Sequence, residues 1–366
     1  MNIKHGHLPG FFLISASILM GIDAFSQSFP RLGNPEYTQT VFTEDFSTEM
    51  LNREVWKVSS NSIKSNLYIF ADTTATVNPT ERGLELSMLR HPGYSTEVWT
   101  PGGDSLVEAD FIGGEVMTKA DFSYGIFECN ATLAYGSGSF PAFWLYNDTM
   151  CTETERPEID IVELKADSYD PTLDVGIWYY PKDCKPQTLH EFTQIPFTWG
   201  DTHTYKAVWT PEKIEFWVDD RLLKAVHNTG QYWYPYLRQH LKLSQQMVRF
   251  GVLFPGKKRI KTPQSSWFHR VKVREFFLAP EIHCPDNIWH TAVAMMDVDD
   301  QASDVTWKLI PQNNFAGPTS GKGLKATLTP AGSFHAVGKI VYRFKMPSGE
   351  AYTAEKTVQL NGLQFK

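Results

Sequence analysis

Short runs rich in β-branched and aromatic residues recur along this chain between clusters of Gly, Pro, Asn and Asp. Clear examples are Gly125–Leu133, Lys213–Val218 and Val271–Leu278. No long segment shows a strong helical period, and one short helix is predicted over Tyr232–Val248. Strands separated by turn residues at this spacing are typical of packed antiparallel sheets. The sequence therefore predicts an all-β protein built around a β-sandwich.

The N-terminal 26 residues have the pattern of a secretory signal peptide. Lys4 precedes an apolar run from Phe11 to Met20, and the small residues Ala24 and Ser26 suit cleavage by a signal peptidase. The run is too short to span a bilayer as a permanent anchor. We therefore predict a secreted or periplasmic protein without a membrane anchor.

The rest of the chain is predicted to form two domains. Its length suits a large domain over residues 27–281 followed by a small one over residues 285–366. Beyond the boundary, strand-like runs continue in Val305–Ile310 and Lys339–Lys345. This pattern predicts a small immunoglobulin-like accessory sandwich, and we expect the protein to be a monomer.

Charge and cysteine content exclude two classes of site. The net charge is −7 and no block of like charges occurs, which argues against nucleic acid as a partner. The cysteines contain no C-x-x-C pair, which argues against a thiolate zinc site. Cys129 lies in an alternating apolar run and is predicted to be a buried thiol. A bridge between Cys151 and Cys184 stays open, because sequence does not set their distance.

One segment concentrates acids that a structural strand would avoid. Glu158, Asp160 and Glu163 stand among aliphatic residues in the run Pro-Glu-Ile-Asp-Ile-Val-Glu. The two-residue period of a strand puts Glu158 and Asp160 on one face and Glu163 on the other. A β-bulge at Ile161-Val162 would return Glu163 to the first face. We predict that bulge, and with it three carboxylates in a line.

Carboxylates held this way suit the hydrolysis of a glycosidic bond. Acids among aliphatic residues repel one another and cost desolvation, so they need a functional reason. A retaining glycosidase uses two carboxyl groups about 5–5.5 Å apart, one as nucleophile and one as proton donor. An E-x-D-x-x-E pattern arises by chance in roughly one chain in fifteen of this length, so a solvated strand face remains the alternative on this motif alone.

Further segments flank the acids at a specific spacing. They are Phe122–Glu128 and Gly136–Leu145 upstream, and His203–Pro211 and Ile214–Asp219 downstream. Together with the acidic run, they resemble glycoside hydrolase family 16 over about residues 40–280, in the subgroup with a bulged active-site strand. The resemblance implies a jelly roll of two curved antiparallel sheets with a cleft across the concave face.

The resemblance also implies roles for individual residues. Glu158 would be the nucleophile, Asp160 its helper and Glu163 the general acid/base. Aromatic rings pack on the C–H faces of sugars, and 14% of the residues are aromatic. Trp144 matches a cleft position of the family, and Phe140 stands where the family usually has Trp. Looser candidates for binding substrate are Trp99, Trp178 and Trp267; for all five aromatic residues the alternative is a place in the core.

The departures from the family pattern concern calcium and substrate. Pro157 replaces a Gly that often precedes the first Glu, and His269 replaces an Asp that often helps hold a structural calcium. The resemblance implies no organic cofactor, and His269 weakens the case for calcium. We expect an endo-acting retaining β-glycanase acting on a β-1,3- or mixed β-1,3/1,4-glucan. The alternatives are a marine galactan hydrolase for agar, porphyran or carrageenan, and a non-catalytic carbohydrate-binding protein.

Overall fold

The computed structural model describes most of the chain, and its residues form two compact units. One unit is Thr38–Phe276, and the other combines Phe277–Lys366 with the end of Met1–Tyr37. The described residues are 31–60, 63–65, 68–100, 103–147, 156–166, 171–181, 185, 187–193, 198–229, 237–247, 260–332 and 335–361. The predicted signal peptide, Cys151 and Cys184 lie outside them, and the predicted domain roles stay predictions.

The larger unit is built from strands, and its described part contains no α-helix. The all-β prediction is therefore confirmed. The strands are β1 (Thr38–Glu44), β2 (Trp56–Val58), β3 (Ile63–Ser65), β4 (Tyr68–Phe70), β5 (Val77–Thr80), β6 (Gly83–Thr100), β7 (Gly103–Phe122), β8 (Gly125–Thr132), β9 (Ser139–Tyr146), β10 (Arg156–Ala166), β11 (Pro171–Tyr180), β12 (Gln187–Thr193), β13 (Thr202–Trp209), β14 (Lys213–Val218), β15 (Arg221–His227), β16 (Gln239–Met247) and β17 (Gln264–Phe276).

These strands form two antiparallel sheets. Sheet A runs β5–β6–β17–β8–β13–β14–β15, and β1 also pairs with β17. Sheet B runs β2–β7–β16–β9–β10–β11–β12. The far ends of β6 and β7 pair with each other, and β4 joins β7 in parallel beside β3. The two sheets share the interior of a sandwich.

Alternation along the strands explains why they bury one face. In β14, Ile214, Phe216 and Val218 are buried while the residues between them are partly exposed. In β8, Phe127 and Cys129 are fully buried, as predicted for the thiol of Cys129. Side chains two residues apart share a face, so each strand supplies one row to the interior. Burial raises the pKa of the Cys129 thiol, which keeps that thiol neutral in the core.

The helix predicted over Tyr232–Val248 is wrong in its described part. Gln239–Met247 is strand β16, which pairs with β7 on one side and β9 on the other. Every residue of β16 except His240 is buried. Ladders on both sides and burial on both faces outweigh the local helical tendency of this segment. Within the described ranges, no helix is long and apolar enough to cross a membrane.

A buried polar network joins the two sheets. Ser266 of sheet A donates a hydrogen bond of 2.6 Å to the Oε1 atom of Gln245 in sheet B. The Nε2 atom of Gln245 donates to Ser139 Oγ at 2.9 Å, and the Ala134 amide donates to Ser266 Oγ at 2.9 Å. Gln245, Ser266 and Ser139 are fully buried. These buried donors and acceptors are each other's hydrogen-bond partners. The network therefore fixes β16 of sheet B against β17 of sheet A across the interior of the sandwich.

The smaller unit has strands around a core of its own. A three-stranded sheet runs β18–β20–β23, and a five-stranded sheet runs β19–β25–β24–β21–β22. Their shared core includes Leu309, Ile340, Tyr342 and Phe344. The elements are β18 (Glu281–His283), β19 (Asn287–Ile288), β20 (Ala292–Asp297), β21 (Ser303–Ile310), a 3₁₀ helix (Gln312–Asn314), β22 (Ser320–Lys322), β23 (Lys325–Leu328), β24 (His335–Lys345) and β25 (Ala351–Asn361).

The inter-sheet network predicts a large stability loss for Gln245→Leu. The substitution leaves Ser266 and Ser139 buried without this partner, so we expect the free energy of unfolding to fall by about 2–4 kcal/mol. Urea unfolding followed by tryptophan fluorescence measures it. Gln187→Leu, at an exposed position of β12, is the matched control, with an expected change within about 0.5 kcal/mol. Equal losses in the two variants would contradict the role of the network.

Candidate active site

The acidic run forms β10, in the middle of sheet B, and it contains the predicted bulge. Against β9, Asp160 lies opposite Trp144, but Val162 lies opposite Phe143. One extra residue therefore sits in β10 between Asp160 and Val162. The ladder to β11 shifts over the same stretch, between Asp160 and Glu163. The prediction of a bulge at Ile161-Val162 is confirmed.

The bulge brings the three acids to one face of sheet B. On β9, the residues opposite Glu158, Asp160 and Glu163 are Tyr146, Trp144 and Ala142. These β9 residues are spaced two apart and so share a face. Side chains directly opposite each other in an antiparallel pair also share a face. The carboxylates of Glu158, Asp160 and Glu163 therefore project from the same side, which we call the acidic face.

The three acids differ in their access to solvent. Asp160, in the middle, is 1% exposed, whereas Glu158 is partly exposed. The side chain of Glu163 keeps 13% of its surface exposed. The aliphatic residues Ile159 and Leu164 are buried on the opposite side of β10. The outer two glutamates are therefore reachable from solvent, whereas the middle aspartate is not.

A lysine that the sequence reasoning missed lies against Glu163. The Nζ atom of Lys165 is 3.0 Å from Glu163 Oε2 and 2.7 Å from Asp174 Oδ2. Asp174 lies directly opposite Glu163 on β11 and is 1% exposed. Burial alone would lower the pKa of Lys165, but the two carboxylates outweigh it and raise that pKa. Lys165 therefore stays protonated and neutralises part of the acidic face.

The environment of Glu163 favours a protonated carboxyl group. Desolvation raises its pKa most, and the charges of Asp174 and Glu158 raise it further. Lys165 opposes them, because its charge and its hydrogen bond both stabilise the carboxylate. The net direction is upward. A carboxyl group with a raised pKa beside a second carboxylate is the arrangement that separates a proton donor from a nucleophile.

Trp144 lies on the acidic face beside a second buried lysine. It stands between Asp160 on β10 and Lys242 on β16. The Nζ atom of Lys242 is 4.6 Å from the centre of the Trp144 ring and 5.1 Å from that of Tyr146. It also forms a 3.1 Å ion pair with Glu115, which is 1% exposed. This cation–π contact orients the indole.

The sequence carries a signal for Lys242 and Glu115. Lys242 is a charged residue directly between Leu241 and Leu243. Such a residue is buried only when it is paired. The partner could not be found from the sequence, because Glu115 lies on β7, far along the chain from β16.

Two other aromatic candidates also lie on the acidic face. The ring centre of Phe140 is 5.3 Å from Lys165 Nζ. Trp178 lies opposite Glu158 on β11 and stacks on Tyr180, with ring centres 6.4 Å apart. Trp178 is partly exposed beside the acids, whereas Phe140 is buried, at 8% exposure.

The structure does not bring Trp267 to the acids. It lies on β17 in sheet A, with the Arg82 guanidinium 4.4 Å from the ring centre. Its neighbour Ser266 points into the sandwich toward Gln245, so Trp267 points out of the opposite side of sheet A. Trp99 lies in β6, and its side chain is outside the described residues.

His269, at the position where calcium was in question, is held by protein groups. Its Nε2 atom is 2.9 Å from Thr132 Oγ1, and its Nδ1 atom bonds to the Arg82 carbonyl oxygen. Over the ranges that the structure describes, no three or more His, Cys, Asp or Glu side chains are grouped to hold a metal ion. The imidazole links β8, β17 and the turn before β6.

Comparison with known proteins agrees with this architecture. The family model for glycosyl hydrolases family 16 matches residues 63–265. A search of curated proteins finds no match. One similar solved structure comes from work on the endo-acting O-glycanases with which prominent members of the human gut microbiota initiate mucin breakdown. Its TM-score is 0.57, and the sequences are 18% identical over 66% of this chain and 92% of that one.

Two laminarinases are also similar in structure. The endo-1,3-β-glucanase catalytic domain from Thermotoga petrophila has a TM-score of 0.52 and 18% identity over 66% of this chain and 99% of that one. The laminarinase from Rhodothermus marinus has a TM-score of 0.53 and 19% identity over 66% of this chain and 99% of that one. These likenesses confirm the jelly-roll sandwich.

Removing Lys165 is expected to raise the pKa of Glu163 further. In Lys165→Met the cation no longer stabilises the Glu163 carboxylate, and the charge of Asp174 is left unopposed. Carboxyl ¹³C NMR titration of glutamate-labelled protein measures the pKa, and Glu163→Gln assigns the resonance. Lys206→Met on sheet A is the control and should leave that resonance unchanged. A Glu163 pKa that is equal or lower in Lys165→Met would contradict the proposed coupling.

Proposed function

This chain belongs to glycosyl hydrolases family 16, and we propose that it is an endo-acting β-glycanase that retains the anomeric configuration. It is a glycoside hydrolase with a jelly-roll fold. The observation that carries the proposal is the bulge in β10, which places Glu158 and Glu163 on one face with Asp160 between them. Two carboxyl groups on one face are what double displacement requires.

The reaction uses the two outer glutamates in succession. The Glu158 carboxylate attacks the anomeric carbon, while Glu163 gives its proton to the departing glycosidic oxygen. A covalent glycosyl–enzyme ester results. Water then attacks the same carbon, Glu163 takes the water proton, and Glu158 leaves as a carboxylate. Two inversions at one carbon retain its configuration.

The electrostatics support this assignment of roles. The raised pKa of Glu163 keeps its proton available for the leaving group. Glu158 and Glu163 are both partly exposed, and the buried Asp160 between them would help to position the nucleophile. Trp144, Phe140 and Trp178 lie around the acids, and the partly exposed Trp178 would stack on a sugar face. The rings of Trp144 and Phe140, 4% and 8% exposed, would mainly support the floor of the site.

A β-1,3- or mixed β-1,3/1,4-glucan is the substrate we propose first. Two solved structures with this fold are described as a laminarinase and an endo-1,3-β-glucanase. Marine galactans are the alternative that the bulged motif also serves. Mucin O-glycans are a further alternative substrate, because the similar structure with the TM-score of 0.57 comes from work on mucin breakdown.

The remaining parts of the proposal concern export and organisation. Residues 1–26 would be removed as a signal peptide, which delivers a secreted or periplasmic enzyme. Residues 285–366 would form an accessory module beside the catalytic domain, in a monomeric protein. A non-catalytic carbohydrate-binding protein is the rival hypothesis; such a protein would bind a polysaccharide without releasing reducing ends.

Digestion of a polysaccharide panel tests the proposal. Laminarin, lichenan, agarose, porphyran, carrageenan and mucin are incubated with the enzyme, and the products are analysed by mass spectrometry. We expect oligosaccharides of intermediate length from the glucans. Oligosaccharides that grow longer than those first released would indicate transglycosylation. Binding without products would favour the rival hypothesis.

Glu158→Gln should abolish turnover more completely than Asp160→Asn. Without the Glu158 carboxylate no covalent intermediate forms, so we expect kcat to fall by about 10⁴-fold. Asp160 positions the nucleophile without bonding to the sugar, so Asp160→Asn should cost less. Reducing-sugar release on the best panel substrate compares the two variants. The reverse order would reassign the nucleophile.

Glu163→Ala should show a loss that depends on the leaving group. General acid catalysis contributes roughly 10²–10⁴-fold when the leaving oxygen needs a proton. A 2,4-dinitrophenyl glycoside leaves without one, so formation of the glycosyl–enzyme should be nearly as fast as in the wild type. Burst kinetics with this substrate and with a polysaccharide separate the two cases. An equal loss on both substrates would remove Glu163 from the proton-donor role.

A further inference from the structure

The five-stranded sheet of the smaller unit has an outer face that contains a depression of about 590 Å³. In β24, Ile340, Tyr342 and Phe344 are buried in the core of that unit. The alternating residues Val341 and Arg343 therefore point to the other side of the sheet. Both line the depression, together with residues of β21 and β22.

Cross-strand pairing groups three cations in this depression. Thr306 on β21 lies opposite Arg343 on one side and Lys322 on the other. Lys308, two residues along β21, lies between Val341 and Ser320. With neighbouring strands about 4.8 Å apart, the Cα atoms of Arg343 and Lys322 are about 10 Å apart. We call Lys308, Lys322 and Arg343 the basic face.

The three cations of the basic face are not paired with acids in the described ranges. Glu355 lies opposite Val341 and so shares this side of the sheet, but its carboxylate pairs with Lys339. Within the part of the chain that the structure describes, no salt bridge involves any of the three cations. Other lysines of β24 are paired: Lys339 Nζ is 2.8 Å from Glu355 Oε1, and Lys345 Nζ is 3.0 Å from Asp304 Oδ2. In a chain of net charge −7, three neighbouring cations that form no salt bridge within the described residues attract an external anion.

We propose that the basic face binds an anionic polysaccharide, one that carries sulfate or carboxylate groups. The cations would pair with those groups, and the hydroxyls of Thr306 and Ser320 would hydrogen-bond to sugar hydroxyls beside the apolar Val341. A nucleic-acid binder that contacts about 6–10 phosphates uses more cations than the three of this face. The choice of a saccharide rests on the proposed function with its sulfated alternatives, porphyran and carrageenan, as substrate. A second contact on the same chain would raise the effective concentration of such a substrate, whereas a neutral glucan would gain nothing from these cations.

Affinity electrophoresis of the full chain tests this site. Native gels contain dextran sulfate, polygalacturonate or unmodified dextran. We expect the wild type to be retarded by at least one of the two polyanions and not by dextran, and the two polyanions distinguish sulfate from carboxylate. Rising salt should weaken the retardation. Lys308→Ala/Lys322→Ala should bind at least about tenfold more weakly.

The control removes the same number of charges from the same sheet. Lys339→Ala/Lys345→Ala should change the affinity by less than about twofold, because those cations are already paired. Glu158→Gln should bind like the wild type, so this test can be read even if hydrolysis fails. Equal weakening in the two double variants would overturn the proposal. Absence of retardation by both polyanions, or equally strong binding to single-stranded DNA, would also overturn it.

Discussion

One extra residue in β10 is the constraint on which the active site depends. Side chains in a strand alternate with a period of two, so an unbulged strand would turn Glu163 into the interior of the sandwich. There it would lie with Ile159 and Ile161, where an unpaired carboxylate is strongly unfavourable. The extra residue avoids that cost and places Glu163 on the same face as Glu158. Stability and function therefore require the same irregularity.

The charge balance on the acidic face follows from that placement. Glu163 meets Asp174 from β11 and would be crowded by negative charge without Lys165. Buried ion pairs rarely gain stability over apolar packing, because desolvation offsets their attraction. Two such lysines, Lys165 and Lys242, flank the acids, each paired with a buried carboxylate. The desolvation cost of these ion pairs is consistent with a site that needs several acids close together, with the pKa of Glu163 set by its neighbours.

Sequence reasoning succeeded where the signal was local and failed where it was not. The bulge at Ile161-Val162 was predictable because an odd gap between acids on a two-residue period allows few solutions. The segment Gln239–Met247 was mistaken for part of a helix, since both of its ladder partners lie far away in sequence. Trp267 was a plausible sugar platform by residue type alone. Its place on sheet A depends on where Ser266 points.

Patterns in the amino-acid sequence were enough to predict the strand character of the chain, the bulge in the acidic run and the family. The first two follow from side-chain period, turn residues and the spacing of acids within a few residues, and the third from several such motifs in a fixed order. The charges around Glu163, the contact of Lys242 with Trp144 and the grouping of the basic face in the smaller unit are visible only in the folded chain. Each depends on strands distant in sequence meeting across a sheet, and pairing partners at such distances are not encoded in any local pattern.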